Sequence, residues 1–312
     1  MDSTEIKTKS EAGYEVVKGN GQASGKGKRL DVLKTYKLYV DGKFPRTESG
    51  RYYILKDAEG KSLANICRGS RKDFRDAVVA ARKAQPGWAA KTAYNKGQIL
   101  YRIAEMLEGR KAQFISELMM QGITQAEAEN EVNLSVDRLL HYAGWSDKYI
   151  QVFSSVNPVE SSHFNFSIPE PMGVVSILSP ENYGLIGLVS TIAPAIVGGN
   201  TVVVLASKEN PLSAITFAEV LHSSDVPGGV VNLLTGFRNE LLQHFSNHMD
   251  VNACVYCGQD EEEIKKVQVN SSLNVKRAVV YQKNDWMKET SQSPYHIMSL
   301  QEIKTTWHPI GQ

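Results

Sequence analysis

Two spacings in this chain bring reactive side chains within reach of one another. Cys254 and Cys257 form a C-x-x-C pair. In dithiol redox motifs that spacing opens a helix and both thiols share one face. Here the pair straddles the end of an apolar run, Ala253–Tyr256, that reads as a β-strand. A separation of three along a strand sends side chains to opposite faces, so packing is expected rather than redox chemistry. His244 and His248 are spaced for one helical face, but no third ligand stands beside them, and a solvated face is expected instead of a metal grip. Cys67 sits among apolar neighbours and reads as packing. Gly19, Gly21, Gly25 and Gly27 invite a phosphate-loop reading. No glycine lies five positions before Gly25 or Gly27, and neither Lys26 nor Lys28 is followed by Ser or Thr, so the loop pattern fails.

The elements that must position these residues follow from periodicity. Residues 1–34 lack apolar periodicity and read as a flexible N-terminal arm. Tyr36–Phe44 alternates about Asp41–Gly42, a hairpin signal. Ser70 and Asp73 form a capping pair ahead of Phe74, Ala77, Val78 and Ala81, one face of a helix. Ile99, Ile103, Met106 and Leu107 mark a second amphipathic helix. Val132, Val136, Leu139, Leu140 and Ala143 mark a third. Trp88 and Trp145, at helical edges, read as core. Phe164, Phe166 and Ile168 alternate with Asn165 and Ser167, which predicts a half-buried strand ended by Pro169 and Pro171.

From Gly173 the rhythm changes. Strands are expected at Val174–Leu178, Thr201–Ala206, Val230–Leu234, Ala253–Tyr256 and Arg277–Tyr281. Helices are expected between them at Leu185–Val197, Leu212–Ser223, Glu240–His248 and Glu261–Val269. Short apolar strands alternating with helices predict an α/β fold: a Rossmann-like, doubly wound parallel sheet with helices on both faces.

Composition narrows the class. The 312 residues carry a formal charge of +1, with 42% hydrophobic and 22% charged content. No broad field calls for nucleic acid or anionic lipid. No apolar run reaches the roughly 18 residues of a membrane span. Met1–Ser10 is polar and gives no secretory leader, and three cysteines make no disulfide framework. Cytoplasmic placement is expected.

Several segments together resemble the aldehyde dehydrogenase superfamily: Tyr36–Phe44 (YKLYVDGKF), Glu170–Ser179 (EPMGVVSILS), Ala193–Val204 (APAIVGGNTVVV), Pro227–Gly236 (PGGVVNLLTG) and Glu302–Ile310 (EIKTTWHPI). The resemblance is nearest to the non-catalytic second domain of two-domain aldehyde dehydrogenases, here as a free-standing chain. It implies a cofactor-type domain over 35–285, with an arm hairpin about 150–170, and a polar bridge with a terminal oligomerisation strand over 286–312.

Family chemistry needs a cysteine nucleophile, an oxyanion donor, a glutamate base and NAD(P). The resemblance places Asn182 at the oxyanion position, with Glu181 where the family has tryptophan. With no nucleophile region in these residues, Asn182 is expected to cap the helix near Leu185. Ribose contacts fall on Leu205, which has no donor, and Lys208, a cation in place of an acceptor. Two lost bonds of this kind, each worth about 1.5–3 kcal/mol, would lower affinity roughly a hundredfold or more. The diphosphate turn falls on Gly258, followed by Asp260, Glu261, Glu262 and Glu263. These acids suit a helix N-terminus and repel an anion there, by about 1 kcal/mol each. The base position falls on Tyr281, a poor base at neutral pH, and Lys283 replaces a family glycine.

What the resemblance leaves intact is the association arm: Phe164, Phe166 and Ile168 on one strand, and Ile303, Thr305 and Trp307 on another, expected to pair. The reading is a catalytically inactive, aldehyde-dehydrogenase-like subunit. No cofactor or metal is expected. Its partner is a complete aldehyde dehydrogenase subunit or a second copy of itself. The alternative is an NAD(P)-dependent oxidoreductase acting on aldehydes, with residual NAD or NADP binding or a borrowed catalytic half.

Overall fold

Four strands whose every residue is buried, with a half-buried fifth at one edge, would form a parallel sheet, and a computed structural model, which describes residues 32–311, contains that sheet. The expected arm over 1–34 and its glycines lie almost wholly outside the described residues. In chain order the elements are β1 (Thr35–Tyr36), β2 (Tyr52–Lys56), β3 (Ser62–Cys67), α1 (Arg71–Ala89), α2 (Ala93–Gly109), α3 (Lys111–Met120), α4 (Gln125–Trp145), α5 (Lys148–Phe153), β4 (Ser155–Asn157), β5 (His163–Pro171), β6 (Val174–Leu178), α6 (Ile186–Val197), β7 (Thr201–Leu205), α7 (Leu212–His222), β8 (Val231–Leu234), α8 (Arg238–Asn247), β9 (Ala253–Cys257), α9 (Glu261–Ser272), β10 (Arg277–Tyr281), α10 (Tyr295–Met298) and β11 (Gln301–Pro309).

The main sheet runs β10-β9-β6-β7-β8, all parallel. Its strand order reverses between β6 and β9, the switch point of a doubly wound sheet. Alternate strand residues feed two cores. Val175, Ile177, Val202, Val204 and Val255 pack with α2, α4, α6 and α7. Val174, Leu178, Val203, Cys254 and Tyr256 pack with α1, α8 and α9. Apolar side chains on both sheet faces are what require helices on both sides.

Local signals hold where they are strongest. Ser70 and Asp73 form a reciprocal capping box on α1, whose Phe74, Ala77, Val78 and Ala81 are buried. The Asp41–Gly42 turn has positive φ at both residues, 53° and 69°. It closes a single bridge, Val40 to Lys43, rather than the long hairpin expected. The segment before it bonds to β8 instead, Tyr39 N–H to Leu233 O at 2.9 Å and Leu233 N–H back at 2.8 Å. On α4 the inward face differs from expectation: Leu140 is exposed, while Glu131, Ser135 and Arg138 are buried. The bridge over 286–300 is not simply polar, since it buries Trp286, Ile297 and Leu300.

Four described non-glycine residues, Asp41, Asp225, Val275 and Lys283, have positive φ, and Val275 is the β-branched one among them. Val275, just past α9, has φ +55° and is 94% exposed. It holds the left-handed position that lets Lys276 N–H reach Ser271 O at 3.1 Å. A β-branched residue there costs roughly 1–2 kcal/mol. Val275→Gly is expected to raise unfolding free energy by about 1 kcal/mol in urea titration, after the entropy glycine adds to the unfolded chain.

Candidate functional site

At the carboxyl ends of β6, β9 and β10 the chain opens into a cleft of about 550 Å³. Asn182, Lys208, Gly258 and Tyr281 all line it, so four positions scattered through the sequence converge at the switch point. Leu205 does not line it. It ends β7 with its side chain 3% exposed in the core below.

The residue that commands this crevice was not legible in the sequence. Arg238, the first residue of α8, lays its guanidinium across the ends of the two central strands. It donates to Ser179 O after β6 at 2.5 Å and to Cys257 O of β9 at 3.3 Å. Glu181 and Glu263 flank it at 3.5 and 3.6 Å, and the Tyr256 ring lies 5.2 Å away. The cation thus has two carbonyls, two carboxylates and an aromatic face around it, while its Nε is buried without a hydrogen-bond partner.

Each wall is committed to the protein's own groups. Glu181 Oε2 accepts from Lys208 N–H at 2.7 Å and Ser207 Oγ at 3.1 Å. The Lys208 ammonium pairs with Glu209 at 3.3 Å and stays half-exposed. At Gly258, an added Cβ would fall 2.7 Å from the Tyr256 hydroxyl, and that phenol donates to Glu263 Oε2 at 2.8 Å. Burial, then the neighbouring Glu263, pushes the Tyr256 hydroxyl's pKa up. Asp260 caps α9 through Glu263 N–H at 2.9 Å, with Glu261, Glu262 and Glu263 in the first turn.

Tyr281 closes the far wall. Its hydroxyl meets His296 Nδ1 at 2.9 Å, and its ring packs edge-on to Trp286 at 5.6 Å. Burial pushes the phenol up to about 12. The same burial, with Arg138 nearby, holds His296 down at about 4.

Asn182 does not cap the helix. It is exposed, and the helix begins at Ile186 with no capping side chain of its own. Glu131 of α4 performs the task from across the fold, accepting from Leu185 N–H at 2.9 Å and Ile186 N–H at 3.0 Å. Burial raises its carboxyl while the two amides pull the other way. A buried carboxylate against a helix N-terminus meets both the orphan amides and the dipole. Its signal was available: Glu131, Ser135, Arg138 and Tyr142 recur at helical spacing on one face of α4.

Cys254 and Cys257 are buried in different cores, on opposite faces of β9. Burial pushes the Cys254 thiol to about 11 and the Cys257 thiol higher still. Cys67 is buried, and Trp88 is core, its indole N–H donating to Ile196 O at 2.8 Å. The histidine pair is not a solvated face. His244 is half-buried, and His248 lies beyond the last residue of α8 with its ring on Phe74 at 5.7 Å. Among the described residues no group of His, Cys, Asp and Glu could hold a metal ion, and no helix is long and apolar enough to cross a membrane.

The arm strands pair as expected, β11 antiparallel to β5, with β4 on the other side. Their sides are reversed. Asn165 and Ser167 are buried, joined to Asn157 at 2.6 and 2.9 Å, while Phe164 is 45% exposed. The register also splits the expected set between two faces. Phe164, Phe166 and Ile168 line a groove with Val156 on one. Ile303, Thr305 and Trp307 stand on the other, beside Ser167 and Asn165.

Comparison with known proteins places this geometry. The sequence profile described as "Aldehyde dehydrogenase family" matches residues 44–281. An aldehyde dehydrogenase of Aspergillus niger is 29% identical over 78% of this chain and 49% of its own length. Omega-crystallin of Enteroctopus dofleini is 29% identical over 78% of this chain and 50% of its own. The crystal structure of PnpE from Pseudomonas sp. WBC-3 superposes with a TM-score of 0.75 at 26% identity, covering 80% of this chain and 50% of that one. PnpE has also been solved in complex with nicotinamide adenine dinucleotide. The chain therefore spans about half the length of the relatives it matches. With the matched profile covering most of the sequence and the parallel sheet superposing on solved members, the chain belongs to the aldehyde dehydrogenase family.

Proposed function

We propose that this chain is a non-catalytic association subunit of the aldehyde dehydrogenase family, offering its three-stranded arm to a complete aldehyde dehydrogenase or to a second copy of itself. The observation that carries the reading is Arg238 seated across the switch-point crevice, where a doubly wound sheet otherwise takes its dinucleotide. The residues present do not fit that cofactor. Leu205 is in the core, the Gly258 turn is filled by the Tyr256 phenol, and acids surround the helix N-terminus. The base position is a phenol bound to His296. Three free, buried thiols agree with a reducing compartment, and we place the chain in the cytoplasm.

A second reading, an NAD(P)-dependent oxidoreductase completed by a borrowed catalytic half, is favoured by Lys208 lining the crevice and by the nucleotide complex of PnpE. Calorimetric titration with NAD and NADP separates the two. No binding up to millimolar nucleotide is expected. Micromolar binding would overturn the association reading, because such affinity needs ribose and diphosphate contacts that the residues lining this cleft are not expected to make.

A further inference from the structure

Among the described residues, β11 is an edge strand: β5 pairs with one side, and no strand pairs with the other. The prolines show which backbone groups face that open side. Pro169, Pro171 and Pro309 have no N–H, and the register sets them in the pairs Ile303–Pro169, Gln301–Pro171 and Pro309–His163. At the other parity, Ile310 N–H donates to Ser162 O at 3.0 Å. The even-numbered residues of β11 therefore bond to β5, and the amides and carbonyls of Ile303, Thr305 and Trp307 turn outward. Gln301 O, of the same parity, is turned away from β5 to Arg277, 2.6 Å away. Ile303 and Trp307 are 52% and 57% exposed on one face of this edge. A long, open, apolar edge is a template for another strand.

We propose that this edge pairs with the same edge of a second copy of the chain, antiparallel and centred on Thr305; the inference rests on the association reading above. The strand is self-complementary in that register. Ile303 faces Trp307 of the second copy, an aliphatic–aromatic pair of the kind that stabilises sheets. Glu302 faces His308, and Lys304 faces Thr306, so no like charges meet. Ile303, Thr305 and Trp307 are all outward residues, and each facing pair exchanges reciprocal backbone bonds. Centring the pair on Trp307 would put Pro309 where an N–H is needed. Centring it on Ile303 would leave Trp307 opposite residue 299, beyond the strand. The Thr305 centre is thus the one that uses the whole edge, and it closes an isologous two-fold interface. The joined sheet reads β4-β5-β11-β11-β5-β4.

Light scattering on the purified chain at micromolar concentration tests this. A dimer is expected. Thr305→Pro removes the outward N–H together with the hydroxyl that meets Ser167 Oγ at 2.8 Å, and is expected to give a monomer with unchanged circular dichroism. Thr305→Val, which loses the hydroxyl and keeps the N–H, is expected to stay dimeric. His308→Glu, which sets a carboxylate against Glu302, is expected to weaken the dimer about tenfold. A wild-type monomer, or a folded Thr305→Pro variant that stays dimeric, overturns the edge pairing. Nucleotide titration of the same samples reads the association hypothesis separately. A dimer that binds NAD at micromolar concentration overturns that hypothesis and leaves the edge pairing standing. A monomer that binds no nucleotide but joins a complete aldehyde dehydrogenase does the reverse.

Discussion

Arg138→Met is expected to destabilise the chain by about 3–5 kcal/mol and to loosen the segment between β10 and β11. Arg138 is 1% exposed and has no carboxylate within ion-pair distance among the described residues. Its guanidinium instead serves four oxygens: Ser190 Oγ at 2.7 Å, Ser291 O at 2.9 Å, and Trp286 O and Lys288 O at 3.2 Å. Three of these are backbone carbonyls of the bridge, a stretch with little regular structure to satisfy them. A buried acceptor left unmade costs about 1–3 kcal/mol, and hydrogen bonds to charged donors lie at the upper end. Some carbonyls will recover water, which sets the total below the simple sum. For a chain of this size the loss corresponds to roughly 10 °C in melting temperature. Limited proteolysis should find new cuts within 284–294 while the parallel sheet stays protected. Arg138→Lys is expected to rescue little, because one ammonium cannot span the fork. A melting shift of a degree or less would mean that water serves the carbonyls and that the bridge does not depend on this residue.

Arg138 also marks where sequence reading reaches and where it stops. β6 and β10 lie where apolar periodicity put them, and the other sheet elements begin or end within two or three residues of expectation. A parallel strand buried on both faces is a run of Val, Ile and Leu that loops rarely imitate. The same logic failed on the arm. Phe164, Phe166 and Ile168 alternate as a core-facing strand does, but β5 buries Asn165 and Ser167, whose Oδ1 and Oγ bond to Asn157 and Thr305 while Asn165 Nδ2 is left without a partner. Alternation reports that two faces differ; it does not say which faces inward when a partner surface is in play. β2, β3 and α3 went unread, since Tyr52–Lys56 and Ser62–Cys67 mix exposed apolar with half-buried polar residues. Of the site, the family pattern located Asn182, Lys208, Gly258 and Tyr281. It was silent on Arg238 and His296, whose roles come from long-range contacts that leave no local spacing, and on Glu131, whose recurrence with Ser135, Arg138 and Tyr142 on one face of α4 was the one local signal.

Between pH 6.5 and 4 the chain is expected to lose about 3 kcal/mol of stability through His296 alone. The sign follows from which state holds the proton. In the unfolded chain His296 titrates near 6.5. In the fold it is held down at about 4, first by burial and then by the Arg138 charge, with the Ser291 backbone pulling weakly the other way. Across that window the unfolded state binds more protons, so unfolding becomes easier as pH falls. The stability is fully present above pH 6.5 and lost on reaching the folded value. His141, His244 and His248 are also held down, chiefly by burial, and act in the same direction. Buried Glu117 and Glu131 oppose them, since their raised carboxyls favour the fold as they take up protons. The wild-type curve alone therefore mixes both signs. Subtracting the curve for His296→Asn, which keeps a partner for the Tyr281 hydroxyl and cannot titrate, isolates the single ring. The difference in unfolding free energy should change by about 3 kcal/mol across the window, measured by urea titration at successive pH values. A flat difference would mean that the ring is solvated and that the Tyr281 hydroxyl, 2.9 Å from it, is free for other work. Repeating the subtraction in the Arg138→Met background should narrow the window from below, because removing the adjacent cation lets His296 take its proton earlier. That coupling would tie the arginine that holds the bridge to the histidine that holds Tyr281, and so show one buried network closing the crevice on this side.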